Sequence, residues 1–236
     1  VPVFSIGLGS PSRELVNRCH TAGIKVIAMA ATVEDARELA AAGVDAIIAQ
    51  GSEAGEHRST WTKRPSPQHA ALGTLALVPQ VVEAVQVPVV AAGGIVDGRG
   101  LAAALVSGAS GVSMGTRFIA TQESAAPAFY KQAVLDASGD DTVITDVFTG
   151  LFARVLRNDF TEGYDETGAP VFPAVVQQLA VMDITAASAA KGSVALYPLY
   201  AGQGCGAIRD LPTAAALISR TIEEARRALG GTRTAI

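Results

Sequence analysis

Five short apolar runs, each rich in Val, Ile or Ala, alternate with helical patterns along the first half of the chain. This alternation narrows the fold more than any other feature. The runs cover 1–6, 25–30, 46–50, 87–92 and 111–118. Near-continuous apolarity over so few residues marks strands buried on both faces, the habit of a parallel sheet. Helix signals fall between them. Ser10-Pro11 sets a capping residue before a proline suited to a first helical position, and Leu15, Val16 and Cys19 then recur at helical spacing. Thr32-Val33-Glu34-Asp35 reads as a capping-box-like start, and Gly43 suits a left-handed helix end. Asp97 caps a helix holding Leu101, Ala104 and Leu105, which Gly108 ends. Strands returning at intervals of roughly 20 to 25 residues predict βα units. One interval is much longer. It contains a polar, Pro-rich excursion over 51–74 with Glu53, His57, Arg58, Trp61 and Lys63. Such an excursion between a strand and its helix is usually a functional loop or lid.

Beyond 118 the pattern changes. Helices are predicted over 124–137 and 175–190, an extended segment over 142–149, a turn-rich stretch over 158–173 and a clear final helix over 212–229. The expected organisation is therefore five βα units over 1–119, a small, mostly helical domain over 120–200, and a return segment with a final helix over 201–236 that packs on the first domain. Five strands do not close an eight-stranded barrel, which takes about 250 residues at some 30 per unit. Either three units precede Val1, roughly 90 to 100 residues, or the five strands make a complete open sheet. Periodicity leaves both open, although the chain starts on Val1 rather than Met and enters the first strand at once.

Composition excludes several classes. Of 236 residues, 49% are hydrophobic and 17% charged, which rules out a disordered chain. A net charge of −4 without a basic stripe gives no electrostatic case for nucleic acid. No apolar run reaches the eighteen or so residues that cross a bilayer, and no signal peptide is read at the start. Two cysteines, Cys19 and Cys205, make no disulfide framework, so a reduced, cytoplasmic setting is the default.

Chemistry is suggested by three strand ends. The fourth run ends in Ala91-Ala92-Gly93-Gly94-Ile95 and the fifth in Ser113-Met114-Gly115-Thr116-Arg117. Glycines there leave main-chain N–H groups open to a ligand and allow it close approach, and Thr116 adds a hydroxyl. Either motif alone equally suits a tight turn; the two in succession favour a phosphate, since loops after the last two strands of a barrel commonly hold one. The third run ends in Gln50-Gly51-Ser52-Glu53-Ala54-Gly55-Glu56-His57. A neutral imidazole at His57 suits a base near neutral pH, and Gln50 can exchange hydrogen bonds with a heterocycle edge. A lone histidine in a polar loop is otherwise a solvated side chain; here it would share a rim with the glycine motifs. His20 and His69 are weaker candidates, no spacing resembles a zinc site, and neither cysteine is locally activated. Ala201-Gly202-Gln203-Gly204-Cys205-Gly206 either approaches a ligand or links helices.

Taken together these residues resemble the nitronate monooxygenase family, also called 2-nitropropane dioxygenases. The resemblance is carried by Gly43-Val44-Asp45-Ala46-Ile47-Ile48-Ala49-Gln50-Gly51, by Glu53-Ala54-Gly55 with His57, and by 88–95, 111–118 and 201–204. It implies an FMN-dependent TIM barrel with a second domain, whose N-terminal strands precede Val1. It implies His57 as catalytic base, with Gln50, Gly55, Glu56, Ala92, Gly93, Gly94, Ser113, Met114, Gly115, Thr116 and Gln203 around FMN, and no metal. The implied partners are an alkyl nitronate or nitroalkane and O2, with carbonyl compound and nitrite as products; a homodimer is left open. Two positions depart from the family pattern. Glu56 stands where a small residue, commonly Gly, precedes the histidine, and Met29 stands where some relatives place a lysine. Two other readings remain: an NAD(P)H-dependent flavin reductase of enoyl thioesters or quinones on the same scaffold, and a non-catalytic barrel fragment that needs a partner chain.

Overall fold

The computed structural model describes residues 1–59 and 70–231, so Trp61, Lys63 and His69 of the long excursion lie outside the described residues. In chain order the elements are β1 (Val3–Ile6), α1 (Arg13–Thr21), β2 (Lys25–Ala30), α2 (Val33–Ala42), β3 (Ala46–Gln50), β4 (Glu56–His57), α3 (Thr74–Ala84), β5 (Val89–Ala92) and α4 (Gly98–Val106). They continue with β6 (Gly111–Ser113), α5 (Thr116–Ile119), α6 (Ala128–Asp136), β7 (Thr142–Thr145), β8 (Ala153–Leu156), α7 (Asp159–Thr167), α8 (Val176–Ala190) and α9 (Ala214–Gly231). They sort into two compact units. The first is Val1–Ser52, Ser59–Ser113 and Ser219–Ile236; the second is Glu53–Arg58 and Met114–Ile218.

In the first unit five strands pair in the order β1-β2-β3-β5-β6, all parallel. The order runs one way without reversing. Right-handed crossovers that always step in the same direction lay every helix on one face, whereas an open doubly wound sheet reverses at a switch point. The sequential order is that of a segment of a βα barrel and decides against the open-sheet alternative. Burial follows the same division. Val26, Ala28, Ala30, Ile47, Ala49 and Ala91 alternate along their strands and are sealed beneath the helices, while Ile27, Met29, Ile48 and Val90 on the other face are only half-buried. Small alanines in the covered rows let the helices sit close to the sheet.

Local signals account for most boundaries. Thr32 caps α2 by accepting the Asp35 N–H at 3.0 Å, and Gly43 ends it with φ 94°. Asp97 caps α4 through the N–H groups of Arg99 and Gly100. The cap of α1 is Ser12 rather than Ser10, because the Ser12 hydroxyl is the one that reaches the Leu15 N–H, at 3.2 Å. Gly98 is required by packing: a Cβ there would run into Thr221 O and the Ala225 N of α9, and its N–H goes to Glu224 Oε2 at 3.0 Å. The fifth strand is shorter than expected. It stops at Ser113, and 116–119 turn into α5, because Arg117 buries its guanidinium against Asp210 at 2.7 Å instead of extending the strand.

The second unit holds α5 to α8 and an antiparallel sheet of order β4-β8-β7. Its core joins Val147, Phe148, Val155, Phe160 and Val181, with the Phe148 and Phe160 rings stacked at 4.8 Å. Gln177 is buried there and fully used: its amide donates to Val147 O at 2.6 Å and Tyr164 Oη at 3.0 Å and accepts the Phe172 N–H at 3.0 Å. The stretch 158–173, expected to be turns, contains α7. Asn158 and Thr161 form a capping box at its start, which outweighs the polar composition. Among the described residues no helix is long and apolar enough to cross a membrane.

Candidate active site

The candidates divide between the two units. In the first unit, parallel register places Gln50, Ala92 and Ser113 in one cross-strand row at the C-terminal ends of β3, β5 and β6. Parity along each strand turns this row to the face opposite the helices, the same face as Ile48 and Val90. The row is polar at both ends and small in the middle. Gln50 is buried, and its Oε1 accepts the Ser59 N–H at 2.8 Å. Ser59 in turn donates its hydroxyl towards the carbonyls of Gly7 and Met29. Serine 59 was not among the sequence candidates, yet it ties the chain beyond the excursion's first residues to the ends of β2 and β3.

Directly beyond the row, Gly93 and Gly94 have φ of 117° and 70°. Two successive glycines in this region bend the main chain into a concave turn that side chains would oppose, the geometry that presents N–H groups to an anion. The turn is pinned from behind: Gly51 N–H donates to Ala92 O at 2.8 Å, and Thr74 Oγ1 donates to Gly93 O at 2.9 Å. Gly94 itself is exposed.

In the second unit, Met114, Gly115 and Thr116 lead into α5. A Cβ built on Gly115 meets nothing within 4 Å, so the main chain there borders open space. Thr116 Oγ1 accepts the Gly202 N–H at 2.9 Å, which leaves its hydroxyl hydrogen for a further acceptor. Gly55 has a packing reason of its own: a Cβ there would lie 2.6 Å from Gly202 N and 2.7 Å from Ala201 C. The 201–206 motif thus crosses the Glu53-Ala54-Gly55 segment main chain to main chain, with Gln203 N–H donating to Glu53 O at 2.9 Å. Gln203 begins a short 3-10 turn and is exposed.

His57 lies on β4, which pairs antiparallel with β8 through Glu56↔Arg154 and His57↔Ala153. Both ring nitrogens are engaged. Nδ1 is 2.6 Å from Glu56 Oε1 and Nε2 is 2.8 Å from Thr149 Oγ1. The Tyr200 ring stands 5.8 Å away, tilted by 38°. Tyr200 is itself fixed: its carbonyl accepts the Tyr130 hydroxyl at 2.5 Å. Burial, reinforced by Glu56 and Tyr197, pushes the Tyr200 phenol up to about 12, and burial pushes Tyr130 up as well, so both stay protonated donors. Arg58 and Arg154 are buried beside Glu53. Burial and the neighbouring Arg154 lower Arg58 to about 10 against the opposing pull of Glu53, which leaves it a cation at neutral pH. Sequence reading missed Thr149, Tyr200 and Arg154, because only the β4–β8 pairing brings them to the histidine.

The weaker candidates take structural parts. His20 Nε2 lies 2.8 Å from Asp45 Oδ2 in the first unit. Cys205 is buried, which raises its thiol pKa, and its Sγ faces Ser138 O at 3.2 Å. Among the described residues no group of three or more His, Cys, Asp or Glu could hold a metal ion.

A one-directional parallel β/α segment with a polar-ended row and a glycine turn at its strand ends, joined in one chain to a histidine-bearing unit, defines a class of βα-barrel protein. The family model for nitronate monooxygenases matches residues 1–224, and the chain belongs to that family. It is 40% identical over 203 residues to a "Probable nitronate monooxygenase" of Staphylococcus haemolyticus, covering 86% of this chain and 57% of that protein. A protein with the same description from Staphylococcus saprophyticus is 38% identical over 225 residues, covering 95% and 63%. Among solved structures, the nitroalkane oxidase of Streptomyces ansochromogenes superposes with a TM-score of 0.89 at 41% identity, covering 97% of this chain and 66% of the other. FabK from Thermotoga maritima superposes with a TM-score of 0.84 at 34% identity, covering 100% and 71%. The chain thus spans somewhat more than half the length of the curated relatives it matches.

Proposed function

We propose that the protein is a flavin-dependent oxidoreductase that binds FMN and uses O2 to convert alkyl nitronates, and nitroalkanes after loss of a proton, to a carbonyl compound and nitrite. The observation that carries this reading is His57, an imidazole held at both nitrogens on a short strand, in a chain of the nitronate monooxygenase family. Its chemistry is that of a base: it removes the proton from the carbon that bears the nitro group, and the electron pair left behind delocalises onto the nitro oxygens. Flavin, when bound, would supply the electron transfer.

The residues suit FMN in kind. In the first unit the main-chain N–H groups of Gly93 and Gly94, and in the second those of Gly115 with the Thr116 hydroxyl, are each of the kind that binds phosphate oxygens. Gln50 and Ser113 fit the polar edge of a ring system, while Ala92 between them leaves room. The family resemblance also implies Gly55, Glu56, Met114 and Gln203, all of the second unit, as residues around FMN. Arg58 and Arg154 add fixed positive charge to the second unit. The two free thiols, Cys19 and Cys205, fit a reducing, cytoplasmic setting.

The test is the absorption spectrum of the purified protein, followed by anaerobic titration with propyl-2-nitronate and, separately, with NADH. The expected result is bound FMN bleached by the nitronate alone, with nitrite released when air is admitted. Bleaching by NADH alone, with no nitrite from nitronate, would replace this reading with that of an NAD(P)H-dependent reductase.

A further inference from the structure

Glu56 has φ 73°, a left-handed conformation that side-chain-bearing residues rarely adopt. Along an ordinary strand, Glu56 and His57 would point to opposite faces. The left-handed turn cancels that alternation and lays the carboxylate against the neighbouring ring, 2.6 Å from Nδ1. A non-glycine residue held in a costly conformation is worth attention where a reactive side chain depends on it.

The second partner of the ring is just as specific. Thr149 Oγ1 accepts the Leu151 N–H at 3.3 Å, and its hydroxyl hydrogen has two possible acceptors. One is Leu151 O at 3.2 Å and the other is His57 Nε2 at 2.8 Å. The turn that carries it is tight, with Gly150 N–H donating to Asp146 O at 2.7 Å, so Thr149 is held in place while its hydroxyl rotates.

The geometry points to Glu56 as a positioning residue that fixes the tautomer of His57, with Nδ1 protonated and Nε2 the basic nitrogen, and to Thr149 as the hydroxyl that follows the proton on Nε2. This rests on the proposed reading of His57 as the base. A carboxylate can only accept, so the proton sits on Nδ1 and the ring's lone pair on Nε2. At rest the Thr149 O–H donates to that lone pair. The Thr149 hydroxyl first turns to Leu151 O and releases the lone pair. Nε2 then takes the proton from the nitroalkane carbon, the carbon's electron pair stays on the substrate as the nitronate, and the Thr149 oxygen accepts the new Nε2–H. One proton moves, no electron is transferred to the protein, and every donor has an acceptor before and after.

The claim deepens the function above but can fail separately from it. The chain has three histidines, so 15N NMR of the ring nitrogens can be assigned to His57 by difference from His57→Asn. In the wild-type protein, with the ring neutral, His57 is expected to show a protonated Nδ1. In Glu56→Gly the tautomers are expected to mix, while the melting temperature stays level or rises because glycine suits φ 73°. Glu56→Gln, whose amide oxygen still accepts, restores the Nδ1–H form in part. The ratio of kcat on a neutral nitroalkane to kcat on the preformed nitronate is expected to fall roughly tenfold in Glu56→Gly, a modest share of what a general base contributes, and loss of flavin would lower both substrates together and leave that ratio alone. A protonated Nε2 in the wild type, or an unchanged tautomer in Glu56→Gly, overturns the inference. Should the tautomer depend on Glu56 while nitronates are not turned over, the functional reading falls and the positioning of His57 stands.

Discussion

The parallel-sheet unit and the histidine-bearing unit present different chemistry. In the first, the candidates are strand-end residues whose value lies in the main chain or in being small: Ala92, Gly93, Gly94 and Ser113, with the Gln50 amide as the one large polar group. They are placed by sheet register and by turns pinned from behind. In the second, the central candidate is a side chain held by other side chains, His57 between Glu56 and Thr149. The difference teaches what each can tolerate. A main-chain cradle is indifferent to chemical substitution but sensitive to bulk. A side-chain pair is sensitive to a single atom and tolerates bulk that does not reach it.

The largest expected effect tests sensitivity to bulk at Gly115, a main-chain candidate that lies in the second unit. Gly115→Val adds a side chain into open space, at φ −91°, so the protein should fold with an unchanged melting temperature. Flavin content on purification is expected to drop to background. A yellow variant with full FMN would remove Gly115 from the residues proposed to bind flavin. The next effect separates packing from binding. Gly55→Ala forces backbone atoms of Gly202 and Ala201 apart, and the expected loss is about 3 kcal/mol of stability by urea unfolding. A neutral result would mean that this crossing of chains adapts freely.

Legibility in the sequence follows the same line. β2 and β3 start and end where their Val and Ile runs do, because parallel strands buried by helices need apolar residues on both faces and cap signals bracket them. Asp97, Thr32 and Gly43 were readable for the same local reason. β4 and β8 were not, since two and four residues carry no usable periodicity and their pairing joins distant parts of the chain. His57 could be singled out by its place after a strand end. Thr149 could not, because only the turn after β7 and the antiparallel pairing make it a neighbour. α7 was hidden by polar composition, although Asn158 and Thr161 did spell its cap.

The smallest expected effect lies in the first unit, away from the candidate site. Asp45 accepts from Lys25 Nζ at 2.7 Å, from the Val26 N–H at 2.8 Å and faces His20 at 2.8 Å. Partial burial alone would raise its pKa, but these partners outweigh it and bring the carboxyl from 3.8 down to about 2. A group depressed on folding stabilises above its unfolded pKa and loses that contribution as pH falls through its folded one. Asp45→Asn is expected to cost about 1 kcal/mol at pH 6 after allowance for solvent screening, with the difference vanishing as the pH approaches about 2. A pH-independent difference would show that shape, not charge, holds this corner.

The most direct measurement of the central claim compares two substrates in one variant. With His57→Ala in flavin-loaded protein, kcat/KM on a neutral nitroalkane is expected to fall by roughly 10²- to 10⁴-fold, while kcat/KM on the preformed nitronate changes by no more than a few-fold. Equal losses on both substrates would contradict the account, because a base has nothing to remove from a nitronate.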